Sequence, residues 1–452
     1  MSSKPFYHSL IIREDICTGC THCMRSCPTG ALRIIDGKAK LTAEKCVDCG
    51  YCFKVCPSRA IEIADDDFDD IFTYENRVAL VPAIFLSQFD NKYSISELYS
   101  ALQKIGFTHI FETESTVEFL IKVTREKIST SKEENLFISS FCPAVLRLIQ
   151  IRFPALLRNV IPLKAPLQLT AAFVREKFKD DNNKTGIFYI TPCAAKIADV
   201  KASDNNTAIT GVINMNSMYN RMMGVLSKEH EKTKYDLKND PFSLTKRSMT
   251  YTLTHGEADA FDGRCLAVDE IHNVIEILEK IENEEIKAPN YIELRACDES
   301  CAGGVLTVEN RFLAAERLND RSEKSIYFSK NISALQKKIF EKYEYLFDFA
   351  QCNPYKADGV LKFSGDYESA MKKYNIFRQI NNLLPQVDCG ICGSPSCQDF
   401  AEDVTRQQKD LEHCIFIQRK NEYENCSCNE KNINHFIKIW GEDKIKTKRN
   451  ES

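Results

Sequence analysis

The chain of 452 residues has no surplus of positive charge, no long apolar run and no hydrophobic start. Its 60 Lys and Arg face 64 Asp and Glu, a net charge of -4. A general nucleic-acid binder carries a basic excess, so that class is set aside. No stretch of about eighteen apolar residues occurs, so no membrane-spanning helix is expected. The opening Met1-Ser2-Ser3-Lys4-Pro5 lacks the apolar core of a secretion signal. What the chain does have is cysteine, 20 in all. So many thiols without a secretion signal point to metal ligation in a reducing compartment, hence to the cytoplasm, and not to disulfides. With 43% hydrophobic and 27% charged residues the chain reads as globular. Its length allows roughly two to four domains.

Eight cysteines fall in two runs near the N-terminus. The first reads Cys17-x2-Cys20-x2-Cys23-x3-Cys27-Pro28 and the second Cys46-x2-Cys49-x2-Cys52-x3-Cys56-Pro57. Soft thiolates at this spacing select iron–sulfur or zinc. Zinc sites typically use separated pairs, so the pattern favours iron. It is similar to the bacterial ferredoxin run, given twice. That resemblance implies two [4Fe–4S] cubes, each held by three thiolates of one run and the fourth of the other. No other long-period repeat is found. The module spans about residues 5–65. The acidic run Asp65-Asp66-Asp67-Phe68-Asp69-Asp70 that follows reads as a solvated linker.

Beyond it, apolar β-formers alternate with helical patterns, which is the signature of α/β architecture. One helix is legible in detail: Ser94 and Glu97 form a capping box, Leu98, Leu102 and Ile105 give an apolar face, and Gly106 stops it. Three strand-like runs end at cysteine, namely 136–141 before Cys142, 187–192 before Cys193, and 291–296 before Cys297, with Cys301 four residues on. Sites in open α/β sheets form at the carboxyl ends of strands, so these four thiols are expected to meet. The alternative is four separate buried thiols. Gly303 and Gly304 then allow backbone to approach a bulky group. A long helical and polar stretch leads to Cys389, Cys392, Cys397 and Cys414, a further [4Fe–4S] or zinc set, with a helix expected over 398–412. From Asn421 the chain is Lys/Asn-rich and is expected to fray. Cys265, Cys352, Cys426 and Cys428 show no partner pattern. His22 and His413, beside ligand cysteines, are expected to face solvent.

The strand-end cysteines resemble three signatures of the [FeFe]-hydrogenases. They stand here as Ser139-Ser140-Phe141-Cys142-Pro143, Thr191-Pro192-Cys193-Ala194-Ala195-Lys196, and Glu293-Leu294-Arg295-Ala296-Cys297 through Cys301-Ala302-Gly303-Gly304. The resemblance covers roughly residues 5–310. It implies a hydrogenase-like α/β domain at 76–350, between the ferredoxin-like dicluster module at 5–65 and a small C-terminal iron–sulfur helical domain at 375–420. A polar tail, 421–452, completes the chain. It also implies a central [4Fe–4S] cube joined through Cys301 to a two-iron unit, together the H-cluster. Lys196 matches the lysine that hydrogen-bonds a cyanide of that unit, and Pro82 and Pro192 match pocket residues beside its ligands. The four-cysteine group at 389–414 resembles the domain that follows in sensory members.

Four departures define the functional expectation. Phe141 replaces the cysteine that passes protons to the two-iron unit, and a phenyl ring has no exchangeable proton. General acid–base transfer typically contributes about a hundredfold to ten-thousandfold. Arg295 and Thr191 replace two pocket methionines, and Arg295 adds a permanent charge. Asp199 shortens a position that is usually Glu. The expected protein is therefore a sensory or low-turnover H-cluster protein that passes electrons to a carrier or signalling partner. The alternatives are an active ferredoxin-dependent hydrogenase and an electron-transfer scaffold holding only cubes.

Overall fold

The structure is a computed structural model and describes residues 7–131, 136–202, 208–228, 244–324, 346–358, 367–425 and 429–441. Cys426 and Cys428 lie outside the described residues. The chain forms two compact units: one joins 1–46 and 50–63 to 359–452, and the other holds 47–49 and 64–358. Among the described residues no helix is long and apolar enough to cross a membrane.

The smaller unit is built on duplicated local structure. Strand β1 (Leu10–Ile12) pairs antiparallel with β4 (Ile61–Ile63), and β2 (Leu32–Ile35) with β3 (Lys38–Leu41). Asp36 and Gly37 turn the second hairpin with φ of 51° and 69°. Asp-Gly suits such a two-residue turn because both positions need positive φ. Met24 and Ile34 are fully buried between these strands and the short helices His22–Arg25 and Tyr51–Val55.

The four-cysteine segment and the tail belong to this same unit. Ile34 N donates to Gly393 O, Gly37 N to Ile439 O, and the Trp440 indole to Ile391 O. Arg33 donates to Asp403 at 2.6 Å and to Asp399 at 3.2 Å. Lys45 reaches Asp399 and Glu402, each at 2.7 Å. The expected fraying from Asn421 is corrected over 421–425 and 429–441, and 426–428 and 442–452 lie outside the described residues. Helices span Ile415–Asn425 and Asn429–Trp440, and Trp440 packs on the Met24 and Ile34 core. Composition alone hid this, because a few apolar contacts at the last turn hold an otherwise polar helix. The expected helix at 398–412 is shorter, Cys397–Thr405, with a separate turn at Leu411–His413.

The larger unit carries two parallel sheets. Strands β5 (Asn76–Val81), β6 (His109–Glu112), β8 (Thr185–Thr191) and β9 (Gly211–Asn214) lie in the order β6-β5-β8-β9. Strands β7 (Phe137–Ile138), β10 (Cys265–Val268) and β11 (Tyr291–Leu294) lie in the order β10-β11-β7. Apart from β10, whose four residues are half-buried, their residues are mostly buried, as sheets covered on both faces require. Helix Ile95–Lys104 carries the capping box of Ser94 and Glu97, and Gly106 follows at φ 130°. Helix Ile271–Glu282 buries Ile271, Val274, Leu278 and Ile281 on one stripe.

The acidic run is not a solvated linker. Asp66 accepts from Val212 N and Lys201, and Asp65 accepts from Asn214 N at 2.9 Å. Strand β9 is the edge of its sheet, and these carboxylates satisfy N–H groups that no neighbouring strand reaches. Asp67 caps the turn Phe68–Thr73, whose Phe68 and Ile71 are buried.

Candidate functional site

The structure brings several of the cysteines together. Cys17, Cys20 and Cys23 of the first run line one cavity with Cys56 of the second. Burial, reinforced by those three neighbours, pushes the Cys23 thiol up to about 12. Such a thiol keeps its proton at neutral pH unless a metal displaces it. Backbone amides already aim at the sulfurs: Ala39 N to Cys17, Ala60 N to Cys56 at 3.2 Å, and Ala31 N to Cys27 at 3.2 Å. Such N–H···S bonds tune the potential of a cluster. Cys46 and Cys52 are buried, and Cys49 is half-buried. Cys389, Cys392, Cys397 and Cys414 line another cavity, where burial raises Cys392 to about 11. Lys409 stands behind it, donating to Cys392 O at 2.9 Å and Ser394 Oγ at 2.8 Å, and burial lowers its ammonium to about 8.

The central site draws on both sheets of the larger unit. Strand β8 ends at Thr191, because Pro192 has no N–H to continue the ladder, and Cys193 opens the helix Ala194–Ala202. Strand β7 is shorter than expected. Ser139 N still donates to Ile292 O of β11, its hydroxyl donates to Glu257 at 2.7 Å, and Ser140 donates to Leu163 O at 2.7 Å. Cys142 then caps the helix Pro143–Arg152. After β11 the backbone turns through Glu299 and Ser300, both at positive φ (59° and 51°). Non-glycine residues rarely adopt that conformation. The turn carries Cys301, whose N–H donates to Thr252 O.

Cys142, Cys193 and Cys301 lie within electrostatic reach of one another. Burial pushes Cys193 up to about 12 and raises Cys301 as well, while Lys196 pulls both down. Cys297 is half-buried at the start of the turn, and its carbonyl accepts from Glu270 N. Gly303 and Gly304 are fixed by protein contacts. A Cβ would lie 1.8 Å from Asp298 O at the first and 2.5 Å from Pro192 O at the second. Pro82 ends β5 and precedes the helix Ala83–Leu86.

Two of the residues that depart from the hydrogenase signatures, Phe141 and Arg295, touch. The Arg295 guanidinium lies 4.0 Å from the centre of the Phe141 ring, and the Lys196 ammonium lies 4.7 Å from it. Tyr251 meets the same ring edge-on at 5.8 Å. Two cations on one aromatic ring are favourable in a dry site, where the ring quadrupole is poorly screened. Arg295 is 2% exposed and is neutralised by Glu257 at 2.9 Å and Glu293 at 3.7 Å. Burial would lower it, but those carboxylates hold it raised. Glu257 also accepts from Tyr251 at 2.9 Å and Tyr291 at 2.7 Å.

Lys196 is different. It is 7% exposed, and its ammonium faces the Phe141 and Tyr189 rings without donating a hydrogen bond among the described residues. Burial would lower it, and its anionic neighbours, with Glu114 among them, keep it raised. A buried ammonium with spare donors is suited to an anionic acceptor supplied by a bound group, as a cyanide-bearing iron unit would supply. The donor set of Cys142, Cys193 and Cys301 with Lys196 fits an iron–sulfur group that carries an anionic ligand.

Sequence reasoning missed Glu257, Glu293 and Glu114. Glu114 is buried, its carboxyl raised by that burial, and it accepts from Ala83 N at 2.9 Å beside Pro82. No local spacing marks Glu257 or Glu114, and Glu293, though it stands in the third signature, shows its role only beside the buried Arg295. Asp199 accepts from Gln168 at 3.0 Å, and burial raises it to about 6. It lines a cleft of ≈ 920 Å³ together with Ser140 and Phe141.

The cysteine sets define an iron–sulfur protein. Residues 9–67 match the family model of a 4Fe-4S dicluster domain, and residues 384–416 that of an Fe-S cluster. Residues 77–243 match the model described as iron only hydrogenase large subunit, C-terminal domain. The chain is therefore a hydrogenase-like iron–sulfur protein. Among solved structures it is similar to the [FeFe]-hydrogenase HydA(deltaEFG), at 15% identity and a TM-score of 0.48, over 65% of this chain and 97% of that one. It is likewise similar to a variant of the [FeFe]-hydrogenase HydA1 from Chlamydomonas reinhardtii, at 14% identity and a TM-score of 0.47, with the same coverage. No curated protein matches.

Proposed function

We propose that this chain is a sensory or low-turnover H-cluster protein of the cytoplasm, which passes electrons between a central cluster and a protein partner through terminal cubes. The observation that carries the reading is the Phe141 ring set between Arg295 at 4.0 Å and Lys196 at 4.7 Å. Where a fast hydrogenase needs a group that gives and takes protons, this chain offers a hydrocarbon ring. Two buried cations hold that ring in place, and Arg295 is itself locked by Glu257 and Glu293.

In this reading Cys142, Cys193, Cys297 and Cys301 hold a cube, Cys301 joins it to a two-iron unit, and Lys196 donates to a cyanide of that unit. When bound, the group supplies the site for hydrogen and for electrons. The chain's own contribution is to exclude water, fix orientation and set potential. The buried positive charge of Lys196 favours the more reduced, more negative cluster states, whereas that of Arg295 is offset by Glu257 and Glu293. Two cubes at the N-terminal cysteines and one at Cys389, Cys392, Cys397 and Cys414 complete the electron path.

An active hydrogenase is the second reading, and one feature favours it. A cavity of ≈ 20 Å³ behind Phe141 is lined by Ser139, Ser140, Tyr251 and Glu257. It has room for about one water, which is enough for a slow detour around the ring. Infrared spectroscopy of protein co-expressed with maturation factors tests the proposal. CO and cyanide bands with little hydrogen evolution are expected. Absence of those bands leaves a cube-only scaffold, and rapid evolution supports the second reading.

A further inference from the structure

The loop that ends at Cys414 carries a second constellation, with no thiol in it. Asp410, His413 and His435 each offer a ligand atom, and these atoms lie within 4.8 Å of one another. His413 was expected to face solvent because it adjoins a ligand cysteine. It is instead 8% exposed. Its ring meets that of His435 edge-on, with centroids 4.8 Å apart and planes at 80°. His435 comes from the helix Asn429–Trp440, and Asp410 and His413 from the turn before Cys414.

Each imidazole is oriented by an outer partner. Nδ1 of His413 lies 2.9 Å from both the backbone N–H and the carbonyl of Asp410, accepting from the first in one tautomer and donating to the second in the other. Its Nε2 makes no hydrogen bond to a described residue. Nε2 of His435 lies 3.2 Å from the Glu412 carboxylate. Its Nδ1 is buried and has no partner. Metal-binding histidines are held this way, one nitrogen on a carbonyl or carboxylate and the other turned to the ion. A buried, lone imidazole nitrogen is otherwise a net cost.

The geometry points to a zinc-class divalent cation site formed by Asp410, His413 and His435, which clamps the C-terminal helix to the loop of Cys414. Two imidazoles and a carboxylate are borderline ligands that suit Zn²⁺, whereas iron–sulfur clusters take thiolates. Three protein ligands leave a fourth position for water. With bonds of about 2.0–2.1 Å, tetrahedral ligand atoms sit about 3.4 Å apart, so movement of roughly an ångström closes the set. Asp410 is exposed and can move to close it. The cation would hold the last helix against the four-cysteine loop, in addition to the Trp440 bond to Ile391 O.

The test uses the full chain, anaerobically loaded with iron and sulfide so that the cysteine sites are filled. Zn²⁺ is then added, and zinc and iron are counted after desalting. About one zinc per chain is expected. X-ray absorption at the zinc edge should show nitrogen and oxygen neighbours near 2.0–2.1 Å and no sulfur near 2.3 Å. His435→Gln should weaken zinc binding at least tenfold with iron content unchanged. Should that variant lose iron through misfolding, Asp410→Asn decides, because it keeps the turn and weakens one ligand. A sulfur-dominated zinc spectrum, no retained zinc, or equal zinc binding in the parent and the intact variant overturns the site.

Discussion

The two units treat buried charge in opposite ways. In the smaller unit every buried cation that holds the four-cysteine segment is paired: Arg33 with Asp403 and Asp399, Lys45 with Asp399 and Glu402. In the larger unit Arg295 is paired, but Lys196 faces aromatic rings. A fully paired charge serves the fold, and its removal strands a partner. A buried charge without an acceptor serves something that binds later. The contrast separates a region built to hold clusters steady from one built to react with what arrives.

The largest effect should come from the ring between the cations. Phe141→Cys is expected to raise hydrogen evolution by matured protein by about a hundredfold or more. An unchanged rate would mean that the ring does not limit proton supply.

Next come the paired charges. Lys45→Met leaves Asp399 and Glu402 short of a partner and should cost about 3–5 kcal/mol in chemical denaturation of the smaller unit. Glu257→Gln, which removes the main counter-charge of Arg295, should cost a similar amount in the larger unit. Lys196→Met is the sharpening control. In cluster-free protein it should be neutral or stabilising by about 1–2 kcal/mol, since no acceptor is left behind. A loss as large as that of Lys45→Met would erase the contrast.

The smallest effect concerns Asp199. Its carboxyl stands at about 6 in the fold against an ordinary 3.8, so the native state keeps a proton that the unfolded chain has released. Stability from this group is complete below about pH 4 and declines as pH rises toward 6. Asp199→Asn should therefore flatten the decline between about pH 4 and 6. A parent that instead gains stability over that window relative to the variant would reverse the sign.

Legibility in the sequence followed the range of the interactions. The capping box at Ser94 and Glu97 depends on residues that are neighbours in the chain, and it could be read directly. The acidic run at 65–70 could not, because its partners Val212 and Asn214 are some 150 residues away and lie on a sheet edge that exists only once folded. The tail after Asn421 was misread for the same reason: its polar composition says nothing of Trp440 packing on Met24 and Ile34. His413 looked exposed until His435 was seen beside it.

The order of the chain by itself determined the thiol chemistry. Ligand spacing for a compact inorganic group is set by a few bonds, and Cys17 to Cys56, Cys193 with Lys196, and Cys297 with Cys301 carry it locally. Only the tertiary structure decided what surrounds those sulfurs: that Phe141 meets Arg295 and Lys196, that Glu257 and Glu293 neutralise one cation and leave the other facing rings, and that the last helix returns to the four-cysteine loop. Burial and Coulomb interactions depend on distance through space, which the order of residues does not record.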